Sequence, residues 1–213
     1  MKRLVLILIL FSSNVCFGQF SDSFEDGDFT NDPSWSGDLD KWEIATAKYL
    51  HLSASEADTA YLSTASSCVR KVEWDFWLKL SFNTSLNNYA RIYLLSDVED
   101  LEGEVSGYFL QVGGSNDSVG FFRQEGLVST RLFLCPYLFT GHSTNTFRFH
   151  ITRDSTGTWE IAVDSTGGQN FFSMGTVFDD KIGSSSFFGV WCKFTSSNAT
   201  KFYFDDFRVS PII

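Results

Sequence analysis

One stretch decides most of what this chain can fold into. From Val72 to Phe82 it reads VEWDFWLKLSF, with Val72, Trp74, Phe76, Leu78, Leu80 and Phe82 apolar and Glu73, Asp75, Trp77, Lys79 and Ser81 between them. A period of two held over the whole stretch is the pattern of a strand with one face in a core and the other in water. A helix would scatter the six apolar side chains around its circumference. The even positions are therefore expected inside and the odd positions outside. Trp77 is the anomaly, a large ring among charges on the wet face.

Shorter pieces of the same kind fill the rest of the chain. Aromatic residues make up 17% of the 213 positions, and runs rich in Phe, Tyr, Trp, Val and Ile are separated by Gly, Ser, Asn and Asp. That composition predicts an all-β, two-sheet antiparallel sandwich rather than a helical fold. Strands are expected at about 49–53, 60–63, 89–95, 107–112, 118–123, 131–134, 146–152, 158–163, 187–194 and 201–209. Hairpins are expected between 72–82 and 89–95, between 107–112 and 118–123 across GGSND, and between 146–152 and 158–163. The acidic stretch 96–106 reads as a loop or a single helical turn. The repeat Asp154-Ser-Thr-Gly157 and Asp164-Ser-Thr-Gly167 brackets TWEIAV and reads as turns at the two strand ends. No composition break marks a second domain, so residues 19–213 are expected to form one.

The net charge of −10 repels phosphate backbones and argues against nucleic acid as a partner. It suits an exported protein, or one that binds cations. Lys2 and Arg3, the apolar run Leu4 to Phe11, and Cys16-Phe17-Gly18 before Gln19 form a signal-peptide pattern over residues 1–18. The apolar run is too short to span a bilayer, and Val15 before Cys16 is wrong for a lipoprotein site. Loss of Cys16 leaves Cys68, Cys135 and Cys192, hence at most one bridge and a leftover thiol, with the pairing open. Cys192 shares parity with Phe188, Val190 and Phe194 and reads as a small buried hydrophobe.

The opening Phe24-Glu-Asp-Gly27 with Trp35 and Trp42, and the closing Phe202-Tyr-Phe-Asp-Asp-Phe-Arg-Val209, resemble the two ends of concanavalin A-like jelly rolls. That group includes laminin G-like modules, MAM domains and carbohydrate-binding modules. GDFTNDPSWSGD, YARIYLLSD, FRQEG and WCKFTSSNATKFYFDDF are similar to a lectin/glucanase-like module at the N-termini of exported Bacteroidetes surface proteins. The resemblance implies a jelly-roll sandwich and a carbohydrate-binding or adhesive role, secreted or at the cell surface. The alternatives are a structural spacer without a small-molecule ligand, and a glycoside hydrolase-like enzyme.

Two candidate sites follow. Asp22, Glu25, Asp26 and Asp28 surround Gly27, and Asp38 and Asp40 come after; carboxylates around a tight Gly turn suit calcium, which takes six to eight oxygens. In the jelly rolls this chain resembles, first and last strands lie side by side. That would bring Glu25 and Asp26 near Asp205 and Asp206, around a structural Ca²⁺ tying the termini together. The alternative is a solvated acidic loop, with Asp205-Asp206 as a strand-end bulge.

The second candidate is a glycan surface. Glu73, Asp75, Trp77 and Lys79 share the outer face of their strand, and parity puts Arg91 with Tyr93, Gln111, Arg148 with His150, and Trp191 with Lys193 outside as well. Flat rings flanked by carboxylates, Arg and Gln suit sugars, whose apolar faces stack while their hydroxyls take directed hydrogen bonds. Glu73, Asp75, Trp77, Arg91, Tyr93 and Gln111 are therefore the expected carbohydrate-binding residues. Some of them could instead sit on the convex side, or lie under a loop as a second small core. No catalytic residue is expected. Glu73-Trp-Asp75 begins a glycosidase pattern of this fold, but Trp77 and Leu78 stand where its second Glu would be.

Overall fold

The computed structural model describes residues 19–137 and 140–212, so the expected signal peptide lies outside the described residues. In chain order the strands are β1 (Phe20–Asp22), β2 (Trp35–Gly37), β3 (Trp42–Ile44), β4 (Leu50–Leu52), β5 (Asp58–Ala65), β6 (Val72–Leu80), β7 (Tyr89–Ser96) and β8 (Val105–Gly113). They continue with β9 (Val119–Gly126), β10 (Val128–Leu134), β11 (Asn145–Arg153), β12 (Thr158–Asp164), β13 (Phe172–Phe178), β14 (Phe187–Phe194) and β15 (Phe202–Pro211).

Burial along β6 alternates without a break, even positions buried and odd positions half-exposed. That one face decides the architecture, because a sheet with an apolar face must bury it against another layer. An eight-stranded sheet has the order β13-β12-β11-β6-β15-β4-β3, with β1 added on β15; a seven-stranded sheet has the order β10-β9-β8-β7-β14-β5-β2. Pairing is antiparallel, and the two sheets stack as a jelly-roll sandwich. Trp74, Phe76 and Leu78 of β6 meet a shared core with Phe149, Phe204 and Phe207 on one side and Ile92, Leu110 and Val190 on the other. Trp74 stacks on Trp159 with centroids 5.4 Å apart. Arg153 is also wholly buried: its guanidinium lies over Trp159 and donates to the carbonyls of Val69 and Ile182.

Several expectations change in three dimensions. The segments 72–82 and 89–95 are not a hairpin; β6 and β7 lie in different sheets, and the turn between them crosses the sandwich. β8–β9 and β11–β12 are hairpins as expected. Both DSTG turns stand at the ends of β12. Asp154 accepts from the amides of Thr156, Gly157 and Thr158, and Asp164 from those of Thr166 and Asn170. β1, β2 and β3 are too short to show a period, and β13 is a mostly exposed edge strand with no alternation to read. Cys68 is disulfide-bonded while Cys135 and Cys192 are free, so no two of these three are joined.

Replacing Trp74 with Ala should lower unfolding free energy by about 3–5 kcal/mol in urea, whereas Lys79→Ala, on the opposite parity, should cost under about 1 kcal/mol. A large loss at Lys79 with a small one at Trp74 would invert the two faces.

Candidate functional site: a cleft on the outer face of the eight-stranded sheet

The outer face is laid out by register. Asp75 on β6 is flanked by His150 on β11 and Arg208 on β15, and Trp77 by Arg148 and Asp205. Between those two rungs β15 carries one extra residue: Asp205 pairs with Trp77 but Arg208 with Asp75, leaving Asp206 and Phe207 opposite Phe76 alone. Such a bulge bends the strand and re-aims side chains. Asp206 takes the left-handed conformation (φ 51°), which Asp tolerates better than most residues. Both aspartates are thereby half-exposed on the outer side while Phe204 and Phe207 stay in the core.

Beside the bulge, β1 pairs with β15 as Phe20 with Val209, Ser21 with Arg208 and Asp22 with Phe207. First and last strands do lie side by side. Asp22 holds the departing chain: it is 9% exposed and accepts from the Phe24 amide (2.9 Å) and the Trp35 indole (2.8 Å). Between this segment and the β12–β13 loop lies a cleft of about 700 Å³. Its floor is Asp75, Arg148, Asp206 and Arg208; one wall carries Glu25, Asp26 and Asp32, the other Gln169 and Phe171. The Phe171 ring is 38% exposed, 5.8 Å from His150.

The floor is internally paired. Arg148 binds the Asp206 carboxylate, and Arg208 bridges Asp75 and Glu73, with 3.0 Å to the latter. His150 Nδ1 lies 2.8 Å from Asp75. Burial works to raise the Asp75 pKa, but hydrogen bonds from His150 and Arg208 prevail and hold it below the usual range. The same hydrogen bond raises the pKa of His150 against the opposing effect of burial. Asp205 differs. Burial, with the charges of Asp206 and Glu25, pushes it up to about 7 despite the Asp206 amide and Arg148.

The expected glycan residues fall on two surfaces. Glu73, Asp75 and Trp77 share the face just described, with Asp75 in the cleft floor. Arg91, Tyr93 and Gln111 lie on the seven-stranded sheet, whose outer side is the opposite surface of the sandwich. There the loop 97–104 folds back, and Tyr93, with no exposed surface, joins Leu101, Val105, Phe109 and Trp191 in a second small core. Arg91 packs against the rings of Phe109 and Trp191 and donates to Gln111 at 3.1 Å. Trp77 faces outward but is partly covered: Tyr49 stacks on it at 4.9 Å, and Gly167 lies so close that a Cβ there would sit 2.5 Å from its indole nitrogen.

The four carboxylates expected around calcium come near one another without forming a cage. Glu25, Asp26 and Asp206 line the cleft, but Asp206 is already paired with Arg148. Among the described residues no three His, Cys, Asp or Glu side chains are grouped to hold a metal ion. Asp28 and Asp38 serve their own loops, accepting from Thr30 and Asn31 and from the Tyr61 amide. As placed, with Asp206 paired to Arg148, these carboxylates do not make a ready calcium cage. Sequence reasoning missed Arg208, Gln169 and Phe171. The signal for the first was the parity switch within FYFDDFRV, where Phe204 and Phe207 cannot both face inward unless the strand bulges.

No protein-family model matches the chain, and no curated protein is similar to it in sequence. Solved structures are similar in fold. The carbohydrate recognition domain of Emp47p superposes with a TM-score of 0.65 at 11% identity, covering 91% of this chain and 96% of that one. The carbohydrate-binding module CBM66 from Bacillus subtilis gives 0.60 at 10%, covering 83% and 94%. The exoplasmic/lumenal domain of VIP36 in its Ca²⁺/mannose-bound form gives 0.61 at 11%, covering 84% and 83%. The fold is a concanavalin A-like jelly roll. Within this jelly roll the cleft lies where the first strand, the bulged last strand and the β12–β13 loop meet.

The His150–Asp75 pair makes a pH prediction. A raised histidine pKa contributes stability that is complete below the unfolded value of 6.5 and lost as pH rises through the higher folded value. The gap in melting temperature between wild type and His150→Gln should therefore shrink as pH is raised from about 5 to about 8. A gap constant across that range would mean that His150 has the same pKa in the folded and unfolded chain, and a gap that widened would mean that it stays neutral against Asp75.

Proposed function

We propose that the chain is a non-catalytic carbohydrate-binding module, exported to the cell surface or medium, and that the cleft is where the glycan seats. One observation carries this reading: planar hydrogen-bonding groups, Asp75, Arg148, Gln169 and Arg208, converge with the exposed Phe171 ring in one concavity. Carboxylates, guanidinium and amide groups bond paired hydroxyls, and a ring takes the apolar face of a pyranose. Three proteins of similar fold support it, being named as carbohydrate recognition or binding modules or solved with mannose bound. Asp75, bonded to His150 and Arg208 and held below the usual carboxylate range, is a poor proton donor, and Glu73 is paired with Arg208, which supports binding without catalysis.

Calcium enters at one place. The VIP36 domain has been solved both with Ca²⁺ and metal-free. Here Arg148 supplies beside Asp206 the positive charge that a cation would bring, so glycan binding is read as independent of calcium.

A second reading, a spacer or interaction module without a small-molecule ligand, draws on the covering of Trp77 by Tyr49 and Gly167. The two are separated by a glycan array probed with residues 19–213 in calcium and again in chelator. Wild type should bind one glycan class equally in both, and Phe171→Ala should lose at least about tenfold in affinity with little change in melting temperature. An array without any hit favours the spacer. Binding that needs calcium and fails in Asp206→Asn would put a cation back at the bulge.

A further inference from the structure

The cleft is not only polar but charged in one sense. Six carboxylates line it, Asp22, Glu25, Asp26, Asp32, Asp75 and Asp206, against two guanidiniums, Arg148 and Arg208. The charge of both guanidiniums is met on the floor, by Asp206 for Arg148 and by Asp75 with Glu73 for Arg208. Asp22 is spent on Trp35 and the Phe24 amide. That leaves Glu25, Asp26 and Asp32 on one exposed wall, Asp26 accepting the Asp28 amide and Lys48 lying near Gly27 but outside the lining, with Phe171 across from them as a ring face.

We infer that the glycan held here bears protonated amines, an amino sugar with free amino groups, and that uronic or sulfated glycans are rejected. This rests on the carbohydrate reading above and adds the sign of the ligand's charge. A concave site lined by one sign focuses the field and concentrates the opposite charge. An ammonium group seated between the wall and the floor meets carboxylate acceptors on one side and the negative face of Phe171 on the other. An anionic sugar meets no uncompensated positive charge among the lining residues, because Arg148 and Arg208 each already face a carboxylate, while their remaining N–H groups stay free for hydroxyls.

The test is calorimetric titration of residues 19–213 with glucosamine oligomers, with N-acetylglucosamine oligomers of the same length, and with oligogalacturonate. Mildly acidic buffer keeps the amines protonated. The free-amine oligomer should bind at least about tenfold more tightly than its acetylated counterpart, and oligogalacturonate should bind weakest. The preference should collapse in the double variant Glu25→Gln/Asp26→Asn and survive in Glu56→Gln/Glu104→Gln, which removes the same charge outside the cleft. Equal affinity for the amine and acetylated oligomers would overturn the charge inference and leave the carbohydrate reading intact. Loss of the preference in both double variants would reduce it to the protein's overall charge and overturn it. Binding of a lysine-rich peptide as tight as that of the glucosamine oligomer would also overturn it. Failure of all three oligomers, in a protein that also has no hit on the array, would remove both readings together.

Discussion

The architecture around the cleft depends on one constraint in the last strand. Phe204 and Phe207 are both in the core, although residues three apart on a regular strand point to opposite faces. The chain reconciles them by a bulge at Asp205-Asp206, with Asp206 in the left-handed conformation. Burying two phenylalanine rings supplies the free energy that holds a non-glycine residue in that conformation. Everything on the outer face follows from it. Asp206 is turned toward Arg148, and Arg208 is carried into register with Asp75.

The same bulge explains why the outer face is electrostatically uneven. Asp205 sits between Trp77 on β6 and the start of β4, where the Tyr49 ring reaches across to stack on Trp77, and its carboxyl lacks a direct cation. Asp75, two residues from Trp77 along β6, has His150 and Arg208 on either side and stays charged. Neighbouring carboxylates on one sheet are thus held in opposite protonation tendencies by what lies beside them, which is how packing rather than residue type sets local charge. The cations of the face are absorbed by its floor. The surplus negative charge stands on the N-terminal wall, where β1 hands the chain over to the loop beginning at Asp22.

Much of the fold was legible because β6 and β11, and β15 on either side of its bulge, alternate strongly, and period-two burial translates directly into inside and outside. The adjacency of the two chain ends followed from the resemblance of those ends to a known architecture. What parity could not convey was which sheet a strand joins. Glu73 and Gln111 both face outward, yet on opposite surfaces, because β6 and β8 belong to different sheets. Nor does parity register what a loop later covers: Tyr93 lies under Leu101, and Trp77 under Tyr49 and Gly167. Phe171 and Gln169 lie in a loop and at the foot of an edge strand, with no period to betray them, and only the folded chain brings them opposite Glu25.

The central claim is that ligand recognition belongs to the bulged face and not to the other surface of the sandwich. Amide chemical-shift mapping by NMR with the tightest-binding oligosaccharide tests it most directly. The account predicts saturable shifts clustered at residues 22–26, 169–171 and 205–208, with the amides of Arg91, Tyr93 and Gln111 unmoved. Shifts concentrated on β7 and β8, with the bulge silent, would contradict it.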